Sequence, residues 1–216
     1  MQKLYYLTER SSKMPIKDNR LYRAFTDFTF TEMRSEAEGK AALILRGKPI
    51  VFNTPTVIYE CERTKYIEII ARNAFEEADM SDFIFNFNHS GRVYARTKNK
   101  SLTYSVTDRG FECVATLSGE DEGHRQLYRD VDSGLLDKMS FSFIIAPGGA
   151  EYKEEYGVCT RTITKVKKLY DVSVVSFPAY EETSIATRSA FSEEFKKELA
   201  AVEYRRQCLY AQALTY

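Results

Sequence analysis

Through most of the middle of the chain, apolar and polar positions alternate with a period of two, so strands are the dominant expectation. Residues 42–45 and 50–53 are short apolar runs divided by Arg46-Gly47-Lys48-Pro49, which reads as a turn. Tyr66-Ile67-Glu68-Ile69-Ile70 reads as a further strand, and residues 72–78 as one or two helical turns. In the strand that follows Asp82, Phe83, Phe85, Phe87 and His89 share one parity, with Asn86 and Asn88 on the other. Residues 101–106 and 111–117 flank Thr107-Asp108-Arg109-Gly110, a hairpin with glycine at the turn. Leu127, Tyr128 and Val131 then fall at helical spacing within 124–133, and Gly134 stands where a helix stops. Alternation returns over 138–146, where Met139, Phe141, Phe143 and Ile145 oppose Ser140, Ser142 and Ile144. Residues 161–166 and 169–177 complete the strand-rich region, which ends at Pro178.

The two ends differ from this middle. Residues 1–40 are polar and irregular. Residues 192–214 contain no glycine or proline, open on Ser192-Glu193-Glu194 as a cap, and place Phe195, Leu199, Val202 and Leu209 at helical intervals. That pattern predicts a C-terminal amphipathic helix, packed on its own domain or on a partner. The expected class is α+β and β-rich, a closed or nearly closed barrel surrounded by helices. The expected division is a polar segment over 1–40, one domain over 41–188 and the helical segment over 189–216.

Composition narrows the function more than the fold. A content of 44% hydrophobic and 29% charged residues over 216 positions suits an ordinary globular core. Lys+Arg and Asp+Glu both total 31, so no net field recruits nucleic acid or an anionic membrane, and neither is an expected partner. No apolar run is long enough to span a bilayer, and the start lacks the apolar centre of a signal peptide. The expectation is a chain that stays in the cytoplasm, with Cys61, Cys113, Cys159 and Cys208 as reduced thiols. With no CxxC pair and only His89 and His124 as histidines, neither a metal nor another cofactor is expected.

Acyl transfer by serine needs a hydroxyl beside a base, a third group to hold that base, and NH donors facing the oxyanion. His89 ends a strand and precedes Ser90-Gly91, so a rigid element would hold the imidazole beside an open loop. Its plain alternative is a half-buried histidine bonded to backbone. Ser140 lies within a strand between Met139 and Phe141, and Ser142 shares its parity as a competing nucleophile. Both equally suit the solvent side of a half-exposed strand. Asp171 is an acid in an otherwise apolar strand, which obliges it to face water or to pair. His124, among Glu120, Asp121 and Glu122, reads as a surface residue.

The succession of these segments resembles the prohead, or capsid maturation, proteases of tailed bacteriophages. It comprises Ala74-Phe75, Asn88-His89, Ser133-Gly134-Leu135-Leu136 and Met139-Ser140-Phe141-Ser142-Phe143. It closes on Leu169-Tyr170-Asp171-Val172-Ser173-Val174-Val175-Ser176-Phe177-Pro178-Ala179-Tyr180, followed by Thr183. The resemblance runs over roughly residues 42–188 and lies in order and spacing rather than in any one motif. It implies a fold similar to the herpesvirus assemblins and a serine endopeptidase with His89 as base, Ser140 as nucleophile and Asp171 as the acidic member. It also implies the major capsid protein and scaffold as substrates, association into a homo-oligomer, and action in the host cytoplasm inside the assembling prohead. Asp171 stands where the family more often has glutamate, and Ser142 where it commonly has glycine. The alternative is therefore a catalytically impaired protease-fold protein acting as a capsid assembly or scaffolding factor.

Overall fold

The computed structural model describes residues 20–25, 33–37, 40–61, 64–108 and 110–176, with the single positions Lys197, Ala200 and Tyr204. In chain order the strands are β1 (Leu21–Phe25), β2 (Met33–Ala37), β3 (Lys40–Val51), β4 (Thr56–Cys61), β5 (Thr64–Ile70), β6 (Ile84–Phe87), β7 (Ser90–Arg96), β8 (Leu102–Val106) and β9 (Gly110–Ser118). After helix α1 (Glu122–Asp132) come β10 (Lys138–Ile145), β11 (Ala150–Glu155), β12 (Val158–Ile163) and β13 (Val166–Val175). The predicted C-terminal amphipathic helix lies outside the described residues, apart from the three single positions. No helix among the described residues is long and apolar enough to cross a membrane.

Local chemistry accounts for most of these elements. The hairpin of β8 and β9 forms where the sequence predicts it, and Thr107 closes its turn by donating its N–H to the Gly110 carbonyl. A side chain at Gly110 would meet the Ile50 carbonyl at 2.3 Å, so glycine admits β3 to this close approach. Helix α1 starts on Asp121, whose carboxylate accepts the His124 N–H, and stops where Gly134 adopts a φ of +73°.

Three local expectations give way. Arg46-Gly47-Lys48-Pro49 does not turn; β3 runs through it as one strand, and the register against β9 slips between Gly47 and Ile50. Such an irregularity is where a strand can tolerate a proline with no N–H. Residues 72–78 form no α-helix but successive turns, with Ala74, Glu76 and Ala78 each bonding to the carbonyl three residues back. The segment expected to be irregular contributes β1 and β2, strands of 5 residues each, too short for their alternation to register as a pattern.

The strands make three sheets, ordered β1-β10-β13-β6-β7, β11-β12-β5-β4 and β2-β3-β9-β8. The molecule is β-rich as predicted, but the sheets do not close into a barrel, and among the described residues α1 is the one α-helix. Closure would need a ladder between edge strands. Here β10 and β1 approach β3, and β7 approaches β9, without entering one ladder. The joint is side-chain packing: Phe75, Phe83, Phe85, Phe111, Phe141, Phe143 and Met139 are each 1% exposed or less and share one core.

The first two sheets are also tied by charge. Glu68 of β5 accepts hydrogen bonds from Arg23 of β1 and Arg161 of β12, all three side chains being buried. Burial alone would raise the Glu68 pKa, but the two guanidinium groups outweigh it and hold the carboxyl below the usual glutamate range.

Candidate active site

β6 and β7 are joined by only Asn88 and His89, and both have positive φ, 50° and 55°. Two such residues in succession mark a type I′ turn, whose twist matches that of the strands it joins. Asparagine tolerates this conformation better than most residues. Its side chain adds a clamp, since Asn88 Oδ1 accepts from the Ser176 N–H at 3.0 Å and its backbone N–H donates to the Val174 carbonyl at 2.9 Å. The turn is thereby fixed to the end of β13.

This turn alters the expected direction of His89. Strict alternation would place the imidazole with Phe83, Phe85 and Phe87. The positive φ values instead carry it to the opposite face, where Asn86 lies. His89 Nδ1 stands 3.0 Å from Ser173 Oγ, and Ser173 is the register partner of Asn86.

Register places the remaining polar groups on that face. Antiparallel pairing sets Ser140 opposite Ser173 and Ser142 opposite Asp171, while parallel pairing sets Ser173 opposite Asn86. Ser140, Ser142, Asp171, Ser173 and Asn86 thus form two adjoining rows across β10, β13 and β6. Their other face carries Met139, Phe141, Val172, Val174 and Phe85, all in the core. The serines do not lie on the solvent side of a half-exposed strand: Ser140 is 1% exposed and Ser142 0%. Asp171, at 5%, pairs rather than facing water.

Within this face, Ser140, His89 and Asp171 form a continuous chain. His89 Nε2 is 2.6 Å from Ser140 Oγ, and His89 Nδ1 is 2.5 Å from Asp171 Oδ1. A carboxylate beside Nδ1 accepts a hydrogen bond from it, which makes Nδ1 the NH nitrogen and leaves the Nε2 lone pair facing the serine. Ser142 meets a different partner, donating its hydroxyl to Asp171 Oδ2. An imidazole so placed can take a proton from Ser140, and the carboxylate can stabilise the imidazolium that results.

Several contacts at this site escape sequence reasoning. Ser173 touches Asp171 Oδ1 at 2.8 Å as well as His89 and Asn86, and the Arg23 carbonyl accepts from Ser140 Oγ at 2.9 Å. Ser173 had a signal, since it alternates with Asp171 in the same apolar strand. The Arg23 carbonyl had none, being backbone of a strand 117 residues away. His124 lies elsewhere, half-buried in the first turn of α1, where its Nδ1 accepts the Ser118 N–H at 2.9 Å. Among the described residues Cys113 and Cys159 are buried, and burial pushes the Cys113 thiol up to about 12, far from a reactive thiolate.

A family model described as caudovirus prohead serine protease matches residues 29–198. No curated protein and no solved structure gives a match. The matched span contains His89, Ser140 and Asp171 together with every strand from β2 to β13. The chain belongs to the caudovirus prohead serine protease family.

Proposed function

We propose that this protein is a serine endopeptidase that cleaves the major capsid protein, the scaffold or both inside the assembling phage prohead, using Ser140, His89 and Asp171. The observation that carries the reading is the unbroken sequence of contacts from Ser140 Oγ through the imidazole to Asp171, at 2.6 and 2.5 Å. In the proposed mechanism Ser140 Oγ attacks a peptide carbonyl while its proton passes to His89 Nε2. Asp171 keeps the imidazole oriented and offsets its positive charge. The imidazolium then gives its proton to the leaving amine, and water, activated by the same imidazole, releases the acyl group.

Two features constrain the first step. The Ser140 hydroxyl has one proton and two acceptors within reach, His89 Nε2 and the Arg23 carbonyl, so attack requires it on the imidazole. Ser140 is also only 1% exposed, so a substrate carbonyl reaches Oγ after local opening above it. The protease unit proposed for residues 41–188 takes β1 with it, because Arg23 bonds both Ser140 and Glu68.

The test is co-expression of the chain with its capsid and scaffold proteins. Cleavage should vanish in Ser140→Ala and survive, more slowly, in Ser142→Ala. The reverse pattern would transfer the nucleophile to Ser142.

A further inference from the structure

We infer that Ser142 and Ser173 are positioning residues that lock the Asp171 carboxylate by one hydroxyl on each oxygen, so that the His89 imidazole has a single orientation. The inference rests on the serine-peptidase reading and concerns how its third member is held.

Asp171 stands at 5% exposure, where an ionised group needs its lone pairs occupied. Oδ2 accepts from Ser142, and Oδ1 lies 2.8 Å from Ser173 Oγ and 2.5 Å from His89 Nδ1. Ser142 and Ser173 are both fully buried, and their positions are set by backbone register across β10 and β13. The carboxylate is therefore gripped on both oxygens and cannot turn about its own axis without breaking a bond. A carboxylate free to turn would let the imidazole swing away from Ser140, since Nδ1 would lose its fixed acceptor.

Asn86 completes the arrangement from β6. Ser173 has one hydroxyl proton but faces two oxygens, Asp171 Oδ1 and the Asn86 side-chain oxygen. A half-turn of the Asn86 amide, which preserves its shape, points its NH2 at Ser173. Ser173 then accepts from Asn86 and gives its own proton to Asp171. Donation then runs in one direction along Asn86, Ser173 and Asp171, and each bond polarises the next. Ser142 and Ser173 need not touch substrate; they act through Asp171.

The test uses the full chain with nitrogen-15 histidine, which is tractable because the chain has two histidines. In the wild type the His89 Nδ1 proton should resonate far downfield, and it should persist in Ser140→Ala, because Ser140 lies on the other ring nitrogen. In Ser142→Ala and Ser173→Ala it should shift or broaden while the His124 signals stay in place. Acylation of Ser140 by a fluorophosphonate should slow by about tenfold in each, as expected for losing one hydrogen bond to a charged group. Ser142→Cys and Ser173→Cys keep the volume with a weaker donor and should fall between; they stand in if an alanine variant does not fold. An unchanged resonance and an unchanged acylation rate in these variants would overturn the inference while leaving the peptidase reading intact. A change in one variant alone would overturn it for the other serine. A wild-type chain that shows no Nδ1 proton signal and is not acylated at Ser140 would sink the peptidase reading itself, and the inference with it.

Discussion

Ser140 and Ser142 stand two residues apart on β10, equally buried, and differ in what each hydroxyl meets. Ser140 reaches the imidazole and Ser142 the carboxylate, so the two substitutions should separate cleanly. Ser140→Ala should lower cleavage of co-expressed capsid protein by about 10⁴-fold or more, as removal of a triad nucleophile does elsewhere. Its stability should change by about 1 kcal/mol, the net worth of one hydrogen bond, which a thermal melt would read. A much larger loss would mean that the serine serves the core rather than the chemistry. The sequence left these two serines unresolved for a physical reason. Parity reports which face a residue takes but not how far along that face its partner sits, and only the pairing of β10 with β13 supplies that distance.

At the scale of elements, the β6–β7 hairpin decides whether the imidazole arrives at all. Asn88 contributes a positive φ and a side-chain clamp on Ser176, and two variants separate these contributions. Asn88→Gly keeps the backbone conformation and loses the clamp; Asn88→Ala loses the clamp and adds strain, about 1 kcal/mol more. Urea unfolding should rank Asn88→Ala below Asn88→Gly, with cleavage falling in both. Equal stability of the two would show that the turn relaxes to another conformation. This hairpin is also where strand periodicity misleads. Counting parity through Asn88 assumes an extended chain, whereas a two-residue turn with left-handed backbone redirects the side chain after it. The β8–β9 hairpin and α1 were legible because their signals, a glycine at a turn and a helical stripe ending on Gly134, are local. The three-sheet arrangement was not, because edges that fail to join leave no mark in any one strand's pattern.

Across the whole molecule, the Arg23–Glu68–Arg161 cluster links the site sheet to the β11-β12-β5-β4 sheet through buried charge. Glu68 has a folded pKa below its ordinary value, so its contribution is complete at neutral pH and is lost as pH falls through the carboxylate range and below. Glu68→Gln should destabilise the protein by about 3 kcal/mol at neutral pH, because two guanidinium groups then lie buried against a neutral amide. The difference from wild type should shrink in acid, where wild-type Glu68 is itself protonated; urea melts at the two pH values would check this. A constant difference would deny that Glu68 titrates with unfolding. The order of strands has a consequence for when the chemistry first becomes available. β13, the last described strand of the site sheet to be translated, inserts between β10 and β6 and so brings Asp171 and both flanking strands together at once. A nascent chain that has emerged only as far as β10 carries an alcohol and an imidazole with no strand to join them. On the proposed roles, synthesis itself acts as a timer that keeps the peptidase harmless on the ribosome until its central strand arrives.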